Sequence, residues 1–150
     1  MKRGDITRYQ NIAQEKFLEF GIPVNNVSHI EIADFGLDEF EKTGLILIVK
    51  VNNDYYCSKW LLLMPGQRCP NHFHKDKTET FFILRGTVKI ELDNSIIYLK
   101  PGEQITLEPN SYHAFSSDEW ALIEEVSTHD EDVDSYFENP EIIRTPKVED

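Results

Sequence analysis

Positive charge is in short supply in this sequence. Fifteen lysines and arginines stand against 27 aspartates and glutamates, a formal net charge of −12 over 150 residues. Gripping nucleic acid requires a basic footprint, so a nucleic-acid partner is excluded. Long apolar runs are missing as well. The longest are Leu45–Val49 and Trp60–Met64, far short of the ~20 residues of a bilayer-spanning helix, so no membrane insertion is expected. The first residues, Met1-Lys2-Arg3-Gly4-Asp5, lead into polar sequence without an apolar signal-peptide core, which predicts a cytoplasmic protein. Cysteine is scarce. Cys57 and Cys69 form neither a C-x-x-C pair nor a zinc spacing, and both are expected as free thiols of a reducing compartment.

What remains is an ordinary globular composition, 40% hydrophobic, 11% aromatic and 28% charged, in a chain of single-domain length. The acidic excess is concentrated at 129–150, where eight acids face only Arg144 and Lys147. Most of those charges read as a solvated segment. Residues 7–20 carry Ile12, Phe17 and Phe20 among polar residues and are stopped by Gly21 and Pro23, which predicts one short helix. From Thr43 onward, short β-branched and aromatic runs at 43–51, 55–64, 78–84, 87–92, 95–99, 103–108 and 120–127 alternate with turn residues. Asp93-Asn94 fits a two-residue hairpin turn. Seven or more such strands, with no helical pattern among them, predict an all-β sandwich or barrel. The expected organisation is a single domain overall, with a helical segment at 1–28, the barrel at 29–128 and an acidic segment at 129–150 packing on it. One short helical turn is expected within 138–150.

Three of the five histidines stand where a metal would want them. His72 and His74 are two apart, so on a strand both imidazoles project from one face. Glu79 lies an odd five residues after His74, but the polar, turn-like Lys75-Asp76-Lys77-Thr78 lets it begin a new strand that faces the histidines. His113 arrives a hairpin later, after Pro109-Asn110-Ser111-Tyr112. Three neutral nitrogens and a carboxylate suit one divalent transition metal and leave positions free for substrate. His29 and His129 have no such company and are read as surface or core residues.

The full pattern, G-x5-H-x-H-x4-E-x6-G from Gly66 to Gly86, resembles the first motif of the cupins. Their second motif is matched by the eleven-residue step from Gly102 to His113, with Glu108, Asn110 and Ser117 standing where proline, glycine and asparagine are usual. Asn110 is the mildest departure, because asparagine tolerates the left-handed conformation. The resemblance implies a jelly-roll β-barrel with the metal inside, held by His72, His74, Glu79 and His113. Asp34–Leu37, Lys42–Leu45, Tyr55–Lys59, Pro65–Gln67, Glu125–Thr128 and Asn139–Arg144 are similar to the D-lyxose ketol-isomerase branch, over roughly residues 30–145. That similarity implies a metal-dependent aldose–ketose isomerase of the D-lyxose/D-xylulose or D-mannose/D-fructose type. Manganese is the expected ion, with iron, zinc, nickel and cobalt as alternatives, and a homodimer is the expected assembly.

Such a reaction needs a base to move a proton between C2 and C1. Adjacent strand residues face opposite sides, so one of Glu124 and Glu125 points inward; both neighbouring sets are apolar, and parity does not choose between them. The resemblance chooses Glu125. Lys59 interrupts an apolar run on the face of Cys57, Leu61 and Leu63. It either snorkels to the rim or, in the role the family match gives it, reaches the substrate as a cationic donor. Asp134 and Arg144 match the family's terminal segment and are further substrate-binding candidates. Two other readings compete: an iron cupin dioxygenase, and a non-catalytic sugar- or small-molecule-binding cupin.

Overall fold

The computed structural model describes all 150 residues and contains one α-helix, α1 (Arg3–Glu19), followed by eleven strands. The strands are β1 (Glu31–Ala33), β2 (Leu45–Asn52), β3 (Cys57–Leu63), β4 (Arg68–Phe73), β5 (Glu79–Arg85), β6 (Val88–Leu92), β7 (Ser95–Leu99), β8 (Gln104–Leu107), β9 (His113–Ser116), β10 (Ala121–Ser127) and β11 (Tyr136–Phe137). They form two antiparallel sheets, a six-stranded one ordered β1-β2-β3-β10-β5-β8 and a five-stranded one ordered β11-β4-β9-β6-β7. The fold is all-β with one N-terminal helix, two antiparallel sheets packed as a jelly-roll barrel.

Period-2 alternation divides the six-stranded sheet into two apolar faces. Leu47, Leu61, Ile123 and Ile83 lie in register across four strands and meet Val88, Ile90, Cys69 and Phe115 of the other sheet in the barrel core. Ile46, Leu62 and Leu122 form the row on the opposite face. It is covered by α1, whose buried Tyr9, Ala13 and Phe17 recur every four residues along one stripe. The helix begins earlier than its apolar pattern suggests. It ends where expected: Gly21, at φ +87, sends its N–H to Leu18 O, and Ile22 N–H reaches Phe17 O at 2.8 Å, a Schellman closure.

Asp93-Asn94 forms the two-residue turn joining β6 to β7, with Leu92 paired to Ser95 and Asp93 at φ 51. Asn110 holds φ 67, the left-handed conformation anticipated for it. Gly86 closes the first motif at φ +76, and a Cβ there would lie 2.6 Å from the Trp120 carbonyl oxygen. Glycine is therefore required where β5 passes that turn.

The end of the chain departs from expectation. Residues 138–150 hold no helical turn; the short 3-10 turn lies earlier, at Asp132–Asp134. The last residues run back along the barrel instead, where Ile143 N–H bonds Phe35 O at 2.9 Å and Glu149 bonds both Met1 and Arg3. Backbone pairing with distant segments outcompetes local helix formation there. No helix is long and apolar enough to cross a membrane.

Candidate metal centre and active site

The site lies at one end of the barrel and draws on both sheets. His72 on β4 is paired with His113 on β9, and His74 follows β4 directly. Glu79 opens β5 on the facing sheet, as the turn-like residues before it suggested. All four are buried, and their ligand atoms lie within 4.8 Å of one another.

The hydrogen bonds fix what these atoms offer. His72 Nδ1 lies 2.8 Å from Pro70 O, His74 Nδ1 2.9 Å from Asp134 O and His113 Nδ1 3.0 Å from Ser111 O. A backbone carbonyl can only accept, so each Nδ1 carries the proton and each Nε2 presents a bare lone pair. Glu79 Oε1 stands 2.9 Å from His113 Nε2 and 3.4 Å from His74 Nε2, yet none of the three atoms has a hydrogen-bond partner. Lone pairs turned on one another in a buried space are costly, and a cation among them removes the cost. The residues present therefore fit one divalent metal ion. Burial, with His113 and His74 beside it, holds the His72 imidazole well below its ordinary value, which keeps it in the neutral, ligating form.

Beside this quartet is a chain of buried charges. Glu125 on β10 lies across from Lys59 on β3 and Phe81 on β5, two residues along from the inward row of Ile123 and Leu61. It points into the cavity, whereas Glu124 turns outward to Lys50 at 2.6 Å. Lys59 is 5% exposed, so it does not snorkel. Its Nζ donates to Asp130 Oδ2 at 2.9 Å, and it lines the cavity together with His72, His74, Lys77 and Glu125.

Two residues that the sequence reading did not single out complete the chain. Lys77 Nζ reaches Asp130 Oδ1 at 2.9 Å, Glu79 Oε2 at 3.2 Å and Glu125 Oε2 at 3.4 Å. Asp130, counted among the solvated acids of the last segment, has a side chain only 10% exposed. For Lys77 the signal was weak, because it sits in the turn-like stretch before β5, where strand parity does not apply. For Asp130 there was none, because its partners lie more than fifty residues away in sequence.

Burial sets the direction of the charges. It raises Glu125 above the ordinary glutamate range, the neighbouring Glu79 adds to the rise, and Lys77 and Lys59 offset it only in part. Burial alone would raise Glu79 and Asp130 too, but Lys77 beside Glu79, and Lys77 with Lys59 beside Asp130, outweigh it and hold both carboxyls low. A raised carboxyl among fixed cations is suited to proton transfer near neutral pH.

Asp134 requires a correction. Its carboxylate does not face the cavity. Oδ1 and Oδ2 accept the backbone N–H groups of Lys75, Asp76 and Lys77 at 2.9–3.3 Å, and its own carbonyl accepts from His74. With its oxygens engaged by three amides it fixes the loop between His74 and Glu79 rather than binding substrate. Arg144 does line the cavity, 3.7 Å from Asp132. Cys57 and Cys69 are buried free thiols.

Comparison with known proteins agrees with this architecture. A profile described as a cupin domain matches residues 59–122. A D-lyxose/D-mannose isomerase of Thermosediminibacter oceani is 35% identical, over 100% of this chain and 99% of its own length. A D-lyxose ketol-isomerase of Cohnella laeviribosi is 32% identical, over 90% of this chain and 91% of its own. The chain belongs to the D-lyxose ketol-isomerase family of cupins. The fold of this family member also superposes on Geodermatophilus obscurus L-ribose isomerase with a TM-score of 0.83 at 16% identity, covering 93% of each chain. At that identity the likeness speaks for the fold alone.

Proposed function

We propose that this chain is a metal-dependent aldose–ketose isomerase acting on a small sugar of the D-lyxose/D-xylulose or D-mannose/D-fructose type. The observation that carries the reading is one cavity lined by His72 and His74 of the metal-fitting quartet and by a carboxyl, Glu125, that burial raises above the ordinary glutamate range. The names of the curated relatives support the same reaction.

His72, His74, Glu79 and His113 would hold the ion, which when bound would supply electrophilic stabilisation to the substrate. Glu125 takes the proton from C2 of the aldose and returns it to C1, while a hydroxyl proton passes from O2 to O1. Lys59 has three ammonium hydrogens and one protein acceptor, so it has donors to spare for those oxygens. Arg144, at the cavity edge, holds a hydroxyl farther along the sugar. The apolar wall of Phe35, Leu45, Leu47 and Leu61 restricts water around the reacting carbons. Manganese is the ion we assign; the mixed nitrogen and oxygen donor set also accepts iron, zinc, nickel and cobalt, and elemental analysis decides among them. A cytoplasmic homodimer belongs to the same proposal and is tested by cell fractionation and sedimentation.

The deciding experiment incubates metal-loaded protein with each of the four sugars in D₂O and follows product formation and deuterium entry at C1 and C2 by NMR. Glu125→Gln is expected to lower turnover by roughly 100-fold or more with wild-type metal content, and His113→Ala to lose both metal and activity. Absence of product and of exchange from every sugar sinks the isomerase reading in favour of a binding cupin.

A further inference from the structure

Asp130 is a largely covered carboxylate, its side chain 10% exposed, with no part in the reaction as written above, yet it touches both lysines of the site. Its Oδ2 accepts from Lys59 Nζ at 2.9 Å and its Oδ1 from Lys77 Nζ at 2.9 Å. The two lysines come from different places, Lys59 from the middle of β3 and Lys77 from the loop before β5. Asp130 itself is held by its backbone. The Asn52 side chain accepts from Asp130 N–H at 3.1 Å and donates to Asp130 O at 3.0 Å, so one amide grips both main-chain polar groups of the residue. The neighbouring His129 ring bonds Asn53 O at 2.7 Å, anchoring the same loop to the end of β2.

We propose that Asp130 is a positioning residue for the isomerisation: gripped by Asn52, it sets the places of Lys59 and Lys77, and through them the alignment of the substrate oxygens and of Glu125. This rests on the isomerase reading. The geometry divides the two ammonium groups. Lys77 donates to Asp130 and Glu125 and stands in an ion pair 3.2 Å from Glu79 Oε2, so its charge is committed to the carboxylates. Lys59 gives one to Asp130 and keeps two for substrate. Without the carboxylate, two buried ammonium groups lose their shortest acceptor at once and must shift, Lys59 away from the substrate and Lys77 more fully onto Glu79 and Glu125. Asp130 is not one of the four ligands, so the ion remains.

The test compares wild type, Asp130→Asn and Asn52→Ala as metal-loaded proteins, with D-lyxose and C2-deuterated D-lyxose as probes. Asp130→Asn is expected to keep wild-type metal stoichiometry while kcat falls about 10- to 100-fold, the scale for removing a partner that orients a catalytic group. The deuterium isotope effect on kcat should rise, because misalignment slows the proton transfer itself. Asn52→Ala, which frees only the backbone of Asp130, should shift both quantities in the same direction by less. A purely structural role would reduce the active fraction and leave the isotope effect where it was. Acetylation of the folded proteins, read by mass spectrometry, adds a readout independent of turnover: Lys59 should be protected in wild type and become labelled in Asp130→Asn, while Lys77, drawn onto Glu79 and Glu125, stays protected in both. Wild type that turns over none of the four sugars overturns the isomerase reading before any variant is compared; where it turns over another of the four, that sugar and its C2-deuterated form replace D-lyxose. Wild-type turnover with an unchanged isotope effect in Asp130→Asn, or with a loss that follows metal loss, overturns the role of Asp130 alone.

Discussion

A single side chain in this site rarely does one thing, and Asp134 is the clearest case. Its carboxylate fixes three consecutive amides while its carbonyl orients His74, so it prepares two of the four metal ligands from behind. In Asp134→Asn the amide nitrogen cannot accept, and at least one of the three loop N–H groups loses its partner, at about 1–3 kcal/mol where that group is the buried one of Lys77. The expected result is a melting temperature lower by several degrees and metal affinity weakened about 10- to 100-fold. The KM for sugar at saturating metal should stay unchanged. Calorimetry, metal titration and steady-state kinetics check this; a raised KM with unaltered metal affinity would instead restore a direct substrate role. The sequence supplied Asp134 as a candidate only by likeness to a family. No feature of the residue itself distinguishes a carboxylate that grips backbone from one that grips sugar. Glu124 and Glu125 pose the same difficulty in another form, since alternation says that one is inward without saying which. It took the register of β10 against Lys59 on β3 and Phe81 on β5 to decide.

At the scale of elements, legibility followed apolar contrast. The runs behind β2, β3, β5, β6, β7 and β10 alternate or are densely apolar, and each became a strand. β4 is Arg-Cys-Pro-Asn-His-Phe and β9 only four residues long; neither carries a clear strand pattern, β4 because Arg68, Pro70, Asn71 and the ligand His72 interrupt its apolar residues, and β9 because it is too short to show alternation. The helix is legible because its stripe serves packing alone. It covers the face of the six-stranded sheet that is turned away from the cavity, with Phe17 fully buried against it. Phe17→Ala should therefore cost about 3–5 kcal/mol and lower the denaturation midpoint markedly, while metal stoichiometry in the folded protein stays at the wild-type value. Chemical denaturation and elemental analysis test the pair of outcomes. Metal loss in the still-folded variant would mean that α1 supports the site through the sheet.

For the molecule as a whole, the site is also a fastening. His72 and His113 belong to the five-stranded sheet and Glu79 to the six-stranded one, so an ion held by all of them ties together the two layers whose packing makes the core. The sequence made the ligands visible through their spacing. It could not show that they join opposite layers, which depends on strand order and not on any local pattern. Binding to the folded state alone stabilises by RT ln(1 + [L]/Kd), about 2.7 kcal/mol at a hundredfold excess over Kd. In a chain of this size each kcal/mol moves the melting temperature by roughly 2–4 °C, so the rise should be on the order of 5–10 °C. Calorimetry of chelator-stripped protein with and without Mn²⁺ at neutral pH measures it, and the same series with other divalent ions ranks them. His72→Ala removes a ligand from one layer and should abolish most of the shift without unfolding the protein, since the apolar core next to the site is untouched. Glu79→Ala removes the ligand of the other layer and should do the same, although Lys77 then loses a carboxylate partner and the metal-free protein should melt lower as well. A stripped wild type, verified free of metal, whose melting temperature ignores every divalent ion would leave the four converging side chains without a cation to explain them.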